Sequence, residues 1–171
     1  PFRFARILQP DSAQGASYFQ TMIRLAPGEY LLGTRSGVFF FDQKSAKLRP
    51  VSHPALDKEV IHFLFQDEKG RIYVNRFFKG VKVFSFNGQN LHELANIPTE
   101  ANLKSAVETK TGILFASSKG ILRLDSDHPG LNPIPELSAI PDQTIYCLLK
   151  DPDEPSVFWS SSNRGIYRIH L

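Results

Sequence analysis

Cysteine, long apolar runs and clustered positive charge are scarce or absent in this 171-residue chain. It has one cysteine, Cys147, so it forms no internal disulfide, which is typical of a cytoplasmic chain and also of a periplasmic domain without bridges. No apolar run approaches the ~18 residues that a membrane-spanning helix needs. The net charge is only +3, and no run of lysine and arginine exceeds two residues. This pattern argues against a nucleic-acid surface and against membrane contact by this region.

Short sequence motifs that are typical of catalytic or cofactor-binding sites are missing as well. No G-x-S-x-G elbow or phosphate-binding glycine loop is present. The histidines show no spacing that favours a metal ion, and they are His53, His62, His92, His128 and His170. The sequence therefore predicts no catalytic residue, no metal site and no cofactor. A sustained 3.6-residue apolar period is also absent, so we expect essentially no helix.

What the chain does contain is a repeat. Four glycines recur at intervals of 43, 40 and 45 residues, and they are Gly37, Gly80, Gly120 and Gly165. Upstream of each lies an extended segment, and these segments align without a gap at a spacing of 42 residues: 18–25, 60–67, 102–109 and 144–151. Three apolar columns share this register, which is hard to obtain by chance.

Each repeat reads as four short strands. The extended segment is followed by a polar turn, an apolar second strand, the glycine turn, a third strand and a weaker fourth strand. The tight glycine turn favours a positive φ angle, which glycine adopts without strain. Four antiparallel strands in 40 to 45 residues are typical of a β-propeller blade, whereas solenoid repeats are usually shorter. We therefore predict an all-β fold of four four-stranded blades.

The proposed blade boundaries allow two interpretations of the propeller ring. The blades are expected at residues 18–52, 59–96, 101–138 and 143–171, the last with three strands, while residues 1–9 form an outer strand. That strand either completes the last blade and closes a four-bladed ring, or belongs to a neighbouring blade of a larger propeller of six to eight blades. We favour the larger ring. Open blade edges would also invite pairing with a second copy of the chain.

The segments "FQDEKGRIYVNRFFKGVKVFSF" (65–86) and "ILFASSKGILRLD" (113–125) resemble the two-component regulator propeller repeat. The resemblance implies the periplasmic sensor region of a hybrid histidine kinase or a diguanylate cyclase receptor. Such a region binds a small ligand, often derived from carbohydrate, or an adjacent receptor domain. The chain departs from the pattern in two places. The usual tryptophan of the second strand appears only as Trp159, with Leu31, Tyr73 and Phe115 elsewhere, and blade 2 has Asn75 and Arg76 where Gly-Thr is typical.

Two sets of residues are candidates for ligand binding. The first is a column of polar residues on the innermost strands that we expect to face the central channel: Gln20, His62, Lys104 and Tyr146. The second is a basic rim formed by the turns after the second strands: Arg35, Arg76, Lys79, Lys119 and Arg164. A positive rim could steer anions. In both cases the alternative is that these side chains only solvate a channel or a turn.

The remaining aromatic residues and the cysteine are assigned to packing. Trp159, Tyr73 and Tyr30 are expected between blades, and Cys147 is expected to be a buried small hydrophobe. A non-enzymatic sensor module is the leading functional hypothesis. The alternatives are a protein-interaction scaffold and, less favoured, a propeller enzyme of the lactonase or lyase type.

Overall fold

A computed structural model describes residues 16, 18–125, 130–137, 140 and 144–170. Blade 1 consists of β1 (Thr21–Ala26), β2 (Glu29–Thr34), β3 (Gly37–Asp42) and β4 (Lys47–Pro50). Blade 2 consists of β5 (Ile61–Gln66), β6 (Ile72–Arg76), β7 (Val81–Phe86) and β8 (Leu91–Ile97). The outer strand predicted at residues 1–9 lies outside the described residues.

Blade 3 consists of β9 (Leu103–Thr109), β10 (Gly112–Ser117), β11 (Gly120–Leu124) and β12 (Leu131–Pro133). Blade 4 consists of β13 (Ile145–Lys150), β14 (Val157–Ser162) and β15 (Ile166–His170). Within each blade the strands pair antiparallel in chain order. The innermost strands pack in sequence, β1 on β5, β5 on β9 and β9 on β13. The four antiparallel blades have the arrangement of a β-propeller, as predicted.

The cores lie between blades rather than within one centre. A separate hydrophobic cluster fills the space between blades 1 and 2, between blades 2 and 3 and between blades 3 and 4. In the second cluster, the rings of Tyr73 and Phe115 approach to 5.9 Å between centroids, and Phe65 lies 6.0 Å from Tyr73. Such tilted ring pairs add to the stabilisation that burial of apolar area provides. The assignment of Tyr73 to an inter-blade core is confirmed.

A side-chain oxygen organises the glycine turn in three blades. In blade 1 the Thr34 hydroxyl donates to the Gly37 carbonyl at 3.0 Å and accepts a backbone N–H from the turn. Ser117 makes the same pair of bonds in blade 3, with the Gly120 carbonyl at 2.8 Å. The four glycines adopt positive φ angles, as predicted. At Gly80 a side chain is also excluded sterically, since a Cβ there would lie 2.9 Å from the Ile97 carbonyl oxygen.

The outer edge of blade 3 differs from the prediction. The sequence predicts a weaker fourth strand before the end of this blade at residue 138, and the apolar residues place it at 132–137, but β12 ends at Pro133 and a 3₁₀ turn follows at Pro135–Leu137. Proline lacks the N–H that a strand ladder needs, so Pro133 and Pro135 limit the length of the strand. This turn is the one departure, within the described residues, from the expectation of no helix.

The last blade presents an apolar face that no described blade covers. The cross-strand pair of Leu149 and Trp159 occupies the place that Val107 and Leu114 hold in blade 3. The blade 3 pair is buried, whereas Leu149 is 62% exposed and Trp159 is 39% exposed. Cys147 lies two residues before Leu149 on the same strand and is also exposed.

Two sequence assignments are therefore wrong. Trp159 and Cys147 were expected in a core, but both lie on the free face of blade 4, where no neighbouring blade buries them. The repeat alignment also placed Phe115 at the tryptophan position. The strand pairing gives that place to Leu114, because Leu114 is opposite Val107 just as Trp159 is opposite Leu149.

Blade 1 presents the complementary free face. Met22 is 62% exposed, whereas Leu64, the equivalent residue of blade 2, is 3% exposed against its neighbour. Ala16 packs on part of this face, and a cavity of about 540 Å³ remains beside Met22 and Tyr30. Tyr30, expected between blades, therefore packs on the outer side of blade 1. The free face of blade 4 is thus largely exposed, whereas the free face of blade 1 is exposed only in part, since Leu32, Phe39 and Phe41 on it are buried.

Candidate functional site

One end of the propeller brings together the starts of the innermost strands and the glycine turns, and we call it the mouth. A repeated backbone hydrogen bond joins the two features in blades 2, 3 and 4. The three bonds run from Phe77 N to Val60 O, from Ser118 N to Asn102 O and from Asn163 N to Thr144 O, whereas in blade 1 Gln20 N donates to Gly33 O near the end of β2. The predicted polar column and the predicted basic rim consequently lie at the same end of the molecule.

Three of the four column residues sit at β-bulges. In β5 the pairing steps from Ile61 directly to Phe63, so His62 is the extra residue. Lys104 in β9 and Tyr146 in β13 are skipped in the same way. A bulge bends the strand and redirects the side chain of the extra residue, and bulges are frequent beside binding sites. The repeat of this irregularity at one position in three blades distinguishes the mouth from the rest of the sheets.

The bulged residues form a chain of neighbours across three blades. The Nζ atom of Lys104 lies 5.3 Å from the centroid of the Tyr146 ring, within the range of a cation–π interaction. His62 is half-buried, and burial followed by the positive charge of Lys104 holds the pKa of its imidazole below the ordinary value of 6.5. His62 is therefore mainly neutral at pH 7 and offers one donor and one acceptor.

Lys104 is a free cation at this place. In the part of the chain that the structure describes, no carboxylate lies within ion-pairing distance of its ammonium group. Its side chain is half-buried between His62 and Tyr146. A partly desolvated, unpaired ammonium group attracts an anion more strongly than a fully hydrated one does.

Gln20 differs from the other members of the column. It is exposed at the mouth of blade 1, but β1 has no bulge at this position. It borders the cavity on the free face of blade 1, together with Phe19 and Met22. The structure thus brings together His62, Lys104 and Tyr146 and places Gln20 beside a different surface.

The rim cations are partly neutralised. Lys79 pairs with Glu59 at 2.8 Å, and Lys119 pairs with Glu100 at 3.1 Å. Arg35 stacks over the Tyr18 ring at 4.5 Å. The remaining two are Arg76, which donates to the Lys79 carbonyl, and the exposed Arg164. The rim is a weaker positive surface than its cations alone suggest, and its role in steering anions stays a prediction.

An aromatic pair at the mouth was missed by the sequence reasoning. The turn of blade 2 runs from Arg76 to Gly80 and is one residue longer than the turn from Thr34 to Gly37. The added length presents Phe77 and Phe78, which are 43% and 63% exposed, with their ring centroids 4.2 Å apart. The Phe77 ring lies 5.7 Å from the His62 ring. The different length of this one turn was the signal in the sequence.

The opposite end of the propeller is organised by a buried carboxylate. Asp67 accepts hydrogen bonds from the backbone N–H groups of Lys69 and Arg71 and from the Arg71 guanidinium at 2.6 Å. The Tyr73 hydroxyl also donates to it, and burial raises the pKa of Tyr73 to about 12. Both carboxylate oxygens of Asp67 have local hydrogen-bond partners, so Asp67 stabilises the turn and is not a candidate ligand site.

The described residues lack two further features, a metal-binding cluster and a membrane-spanning helix. No three histidine, cysteine or carboxylate side chains converge as a metal ion would require. The described ranges also contain no helix with the length and hydrophobicity needed to span a bilayer.

The fold resembles several solved propellers, although no family and no curated protein matches the chain by sequence. The extracellular domain of the one-component system BT4673 from B. thetaiotaomicron superposes with a TM-score of 0.70 and 14% identity, covering 95% of this chain and 22% of that one. The extracellular domain of the hybrid two-component system BT3049 from the same organism gives 0.62 and 17%, covering 92% and 21%. The Cps50 (Swd1) β-propeller domain of Myceliophteria thermophila gives 0.67 and 11%, covering 90% and 54%.

These likenesses establish the propeller fold. The neighbours include extracellular domains of the receptor class that the sequence motif resembles, and they also include other propellers. The chain spans about a fifth of the length of the two extracellular domains.

Proposed function

We propose that this propeller is an extracytoplasmic sensor module that binds a small anionic or hydroxyl-rich ligand at its mouth. The observation that carries the proposal is the set of three bulged residues, His62, Lys104 and Tyr146, at equivalent positions of adjacent blades. They supply a neutral imidazole, a free ammonium and a phenol within one surface. The module itself performs no reaction, and the rest of a membrane-anchored receptor carries the signal.

The geometry suits recognition because the site is shared between blades. A ligand that contacts His62, Lys104 and Tyr146 touches blades 2, 3 and 4 at once. Ligand binding would then favour one relative orientation of these blades, because a ligand stabilises the state that it binds best. The extracellular neighbours support a periplasmic location for such a module.

A second role, as an interaction scaffold, is favoured by the free faces of blades 1 and 4. Leu149 and Met22 expose apolar surface in positions that are buried between the inner blades. We propose that further propeller blades, from an adjacent receptor domain or from a second copy of the chain, cover these faces. Sedimentation of the purified chain would report self-association as a dependence of mass on concentration.

The ligand site is tested with Lys104→Gln and with D-galacturonate, a hydroxylated carboxylate, as the probe. We expect the variant to bind at least tenfold more weakly by isothermal titration calorimetry, which corresponds to about 1.4 kcal/mol. The melting temperature should change little because the ammonium makes no ion pair in the described structure. The matched control is Lys110→Gln, since Lys110 lies at the far end of the same blade.

Two results would contradict the proposal. Equal loss of affinity in Lys104→Gln and Lys110→Gln would indicate attraction by overall charge alone. A large fall in melting temperature that accompanies the loss of binding would indicate that Lys104 is a structural residue.

A further inference from the structure

The exposed aromatic pair of blade 2 has no packing role that explains it. Phe77 and Phe78 lie in a turn that the other blades complete with one residue fewer. Phe78 adopts a φ of 55°, a region that a side chain other than glycine, asparagine or aspartate seldom occupies. Exposing two phenyl rings and holding one in a strained backbone both cost free energy.

The aromatic pair adjoins the proposed ligand site. The Phe77 ring contacts the His62 ring, the charge of Lys104 helps to lower the pKa of His62, and the Lys104 ammonium group lies over the Tyr146 ring. The order across the mouth is therefore an exposed apolar surface, an imidazole, a cation and a phenol. The apolar part and the cation are separated by one side chain, so a molecule of modest size can contact both.

We infer that the ligand is a small aromatic carboxylate, with its ring against Phe77 and Phe78 and its carboxylate toward Lys104. This inference rests on the proposed function and specifies its ligand class. Phenyl rings offer no hydrogen-bonding group, so they favour another apolar ring in an offset or edge-to-face contact over a hydroxyl-covered one. The ammonium supplies the complementary charge, and Tyr146 and His62 can donate hydrogen bonds to the same carboxylate.

The test measures the affinity of three probes for the 171-residue chain by isothermal titration calorimetry. They are 4-hydroxyphenylacetate, its neutral amide and D-galacturonate, which separate the ring from the charge. We expect 4-hydroxyphenylacetate to bind at least tenfold more tightly than either of the others. The double variant Phe77→Ala/Phe78→Ala should weaken its binding about tenfold and leave the affinity for D-galacturonate unchanged.

Two controls protect the result from effects on folding. Leu94→Ala removes an exposed apolar side chain from the outer strand of the same blade and should change no affinity. The double variant should melt within about 2 °C of the wild type, because Phe77 and Phe78 belong to none of the hydrophobic clusters between the blades.

Each adverse outcome has a defined meaning. If D-galacturonate binds as tightly as 4-hydroxyphenylacetate, or if the double variant binds 4-hydroxyphenylacetate normally, the aromatic class is wrong. In that case a loss of D-galacturonate binding in Lys104→Gln would still support the proposed function. If 4-hydroxyphenylacetate fails to bind at millimolar concentration, the inference is overturned. Tight binding of a peptide in place of every small acid would indicate a docking surface and would also overturn it.

Discussion

The interface between blades 2 and 3 and the free face of blade 4 are built from the same sequence positions. In the interface, Phe65 and Tyr73 form a cross-strand pair buried against Phe115. On the free face, Leu149 and Trp159 form the same pair and remain exposed. Whether an apolar side chain of this propeller is buried therefore depends on the presence of a further blade and not on the residue type, since each blade supplies only half of every core.

The most sensitive test of this comparison is Phe115→Ala. Phe115 is fully buried between two aromatic neighbours, so truncation leaves a cavity and should lower the free energy of unfolding by about 3–5 kcal/mol. Trp159→Ala on the free face should lower it by less than about 1 kcal/mol. Urea denaturation measures both. Similar losses in the two variants would mean that the free face is covered in solution.

Two leucine-to-alanine variants make the comparison with the same change of side chain. Leu114→Ala removes a buried side chain and should cost about 2–5 kcal/mol, whereas Leu149→Ala removes an exposed one from the equivalent cross-strand pair of blade 4 and should cost well under 1 kcal/mol. Unfolding should be followed at several protein concentrations. A cost for Leu149→Ala that grows with concentration would show that a second copy of the chain buries this residue.

Gly33→Ala probes how closely two covered blades approach. A Cβ at residue 33 would lie 2.6 Å from the Thr21 Cγ2 of blade 1 and 2.7 Å from the Ile61 Cγ2 of blade 2, so we expect a loss of about 1–3 kcal/mol from overpacking. Ile61→Ala removes the second of these methyl groups, so the double variant should lose less stability than the sum of the two single losses. Additive losses would place the strain within blade 1 instead of at the interface.

The smallest expected effect is a pH dependence at the mouth. The pKa of His62 is lowered by folding, so the unfolded chain binds its proton more readily and stability falls as the pH drops below the unfolded value near 6.5. The decline ends below the folded pKa, where both states are protonated. In His62→Gln this part of the dependence should disappear, as followed by melting temperature between pH 7.5 and 5. An unchanged profile would show that His62 does not contribute.

The sequence predicted the repeat and most of the strands because both depend on local patterns. The strands Val81–Phe86, Val157–Ser162 and Ile166–His170 lie where the apolar runs placed them. Tyr73 was assigned correctly because it lies between two neighbouring blades. Trp159 and Cys147 were not, because no periodic pattern tells whether a further blade follows.

The candidate site was predicted in part. The common register placed His62, Lys104 and Tyr146 in one column, and the structure joins them. The bulges that redirect them depend on a one-residue difference between paired strands, which an ungapped alignment of single strands cannot show. Phe77 and Phe78 were overlooked because a longer turn was treated as a variation in spacing.

The two free faces also restrict how copies of the chain can assemble. The outer side of blade 1 and the outer side of blade 4 are unlike surfaces, each equivalent to one half of an inner interface. If the blade 4 face of one copy packs on the blade 1 face of the next, as neighbouring blades do within the chain, the contact is head to tail. Such a contact closes into a ring when the curvature of the blades completes a full turn, and otherwise continues into an open filament. In such an assembly, the angle between successive blades would decide between a closed ring and an open filament.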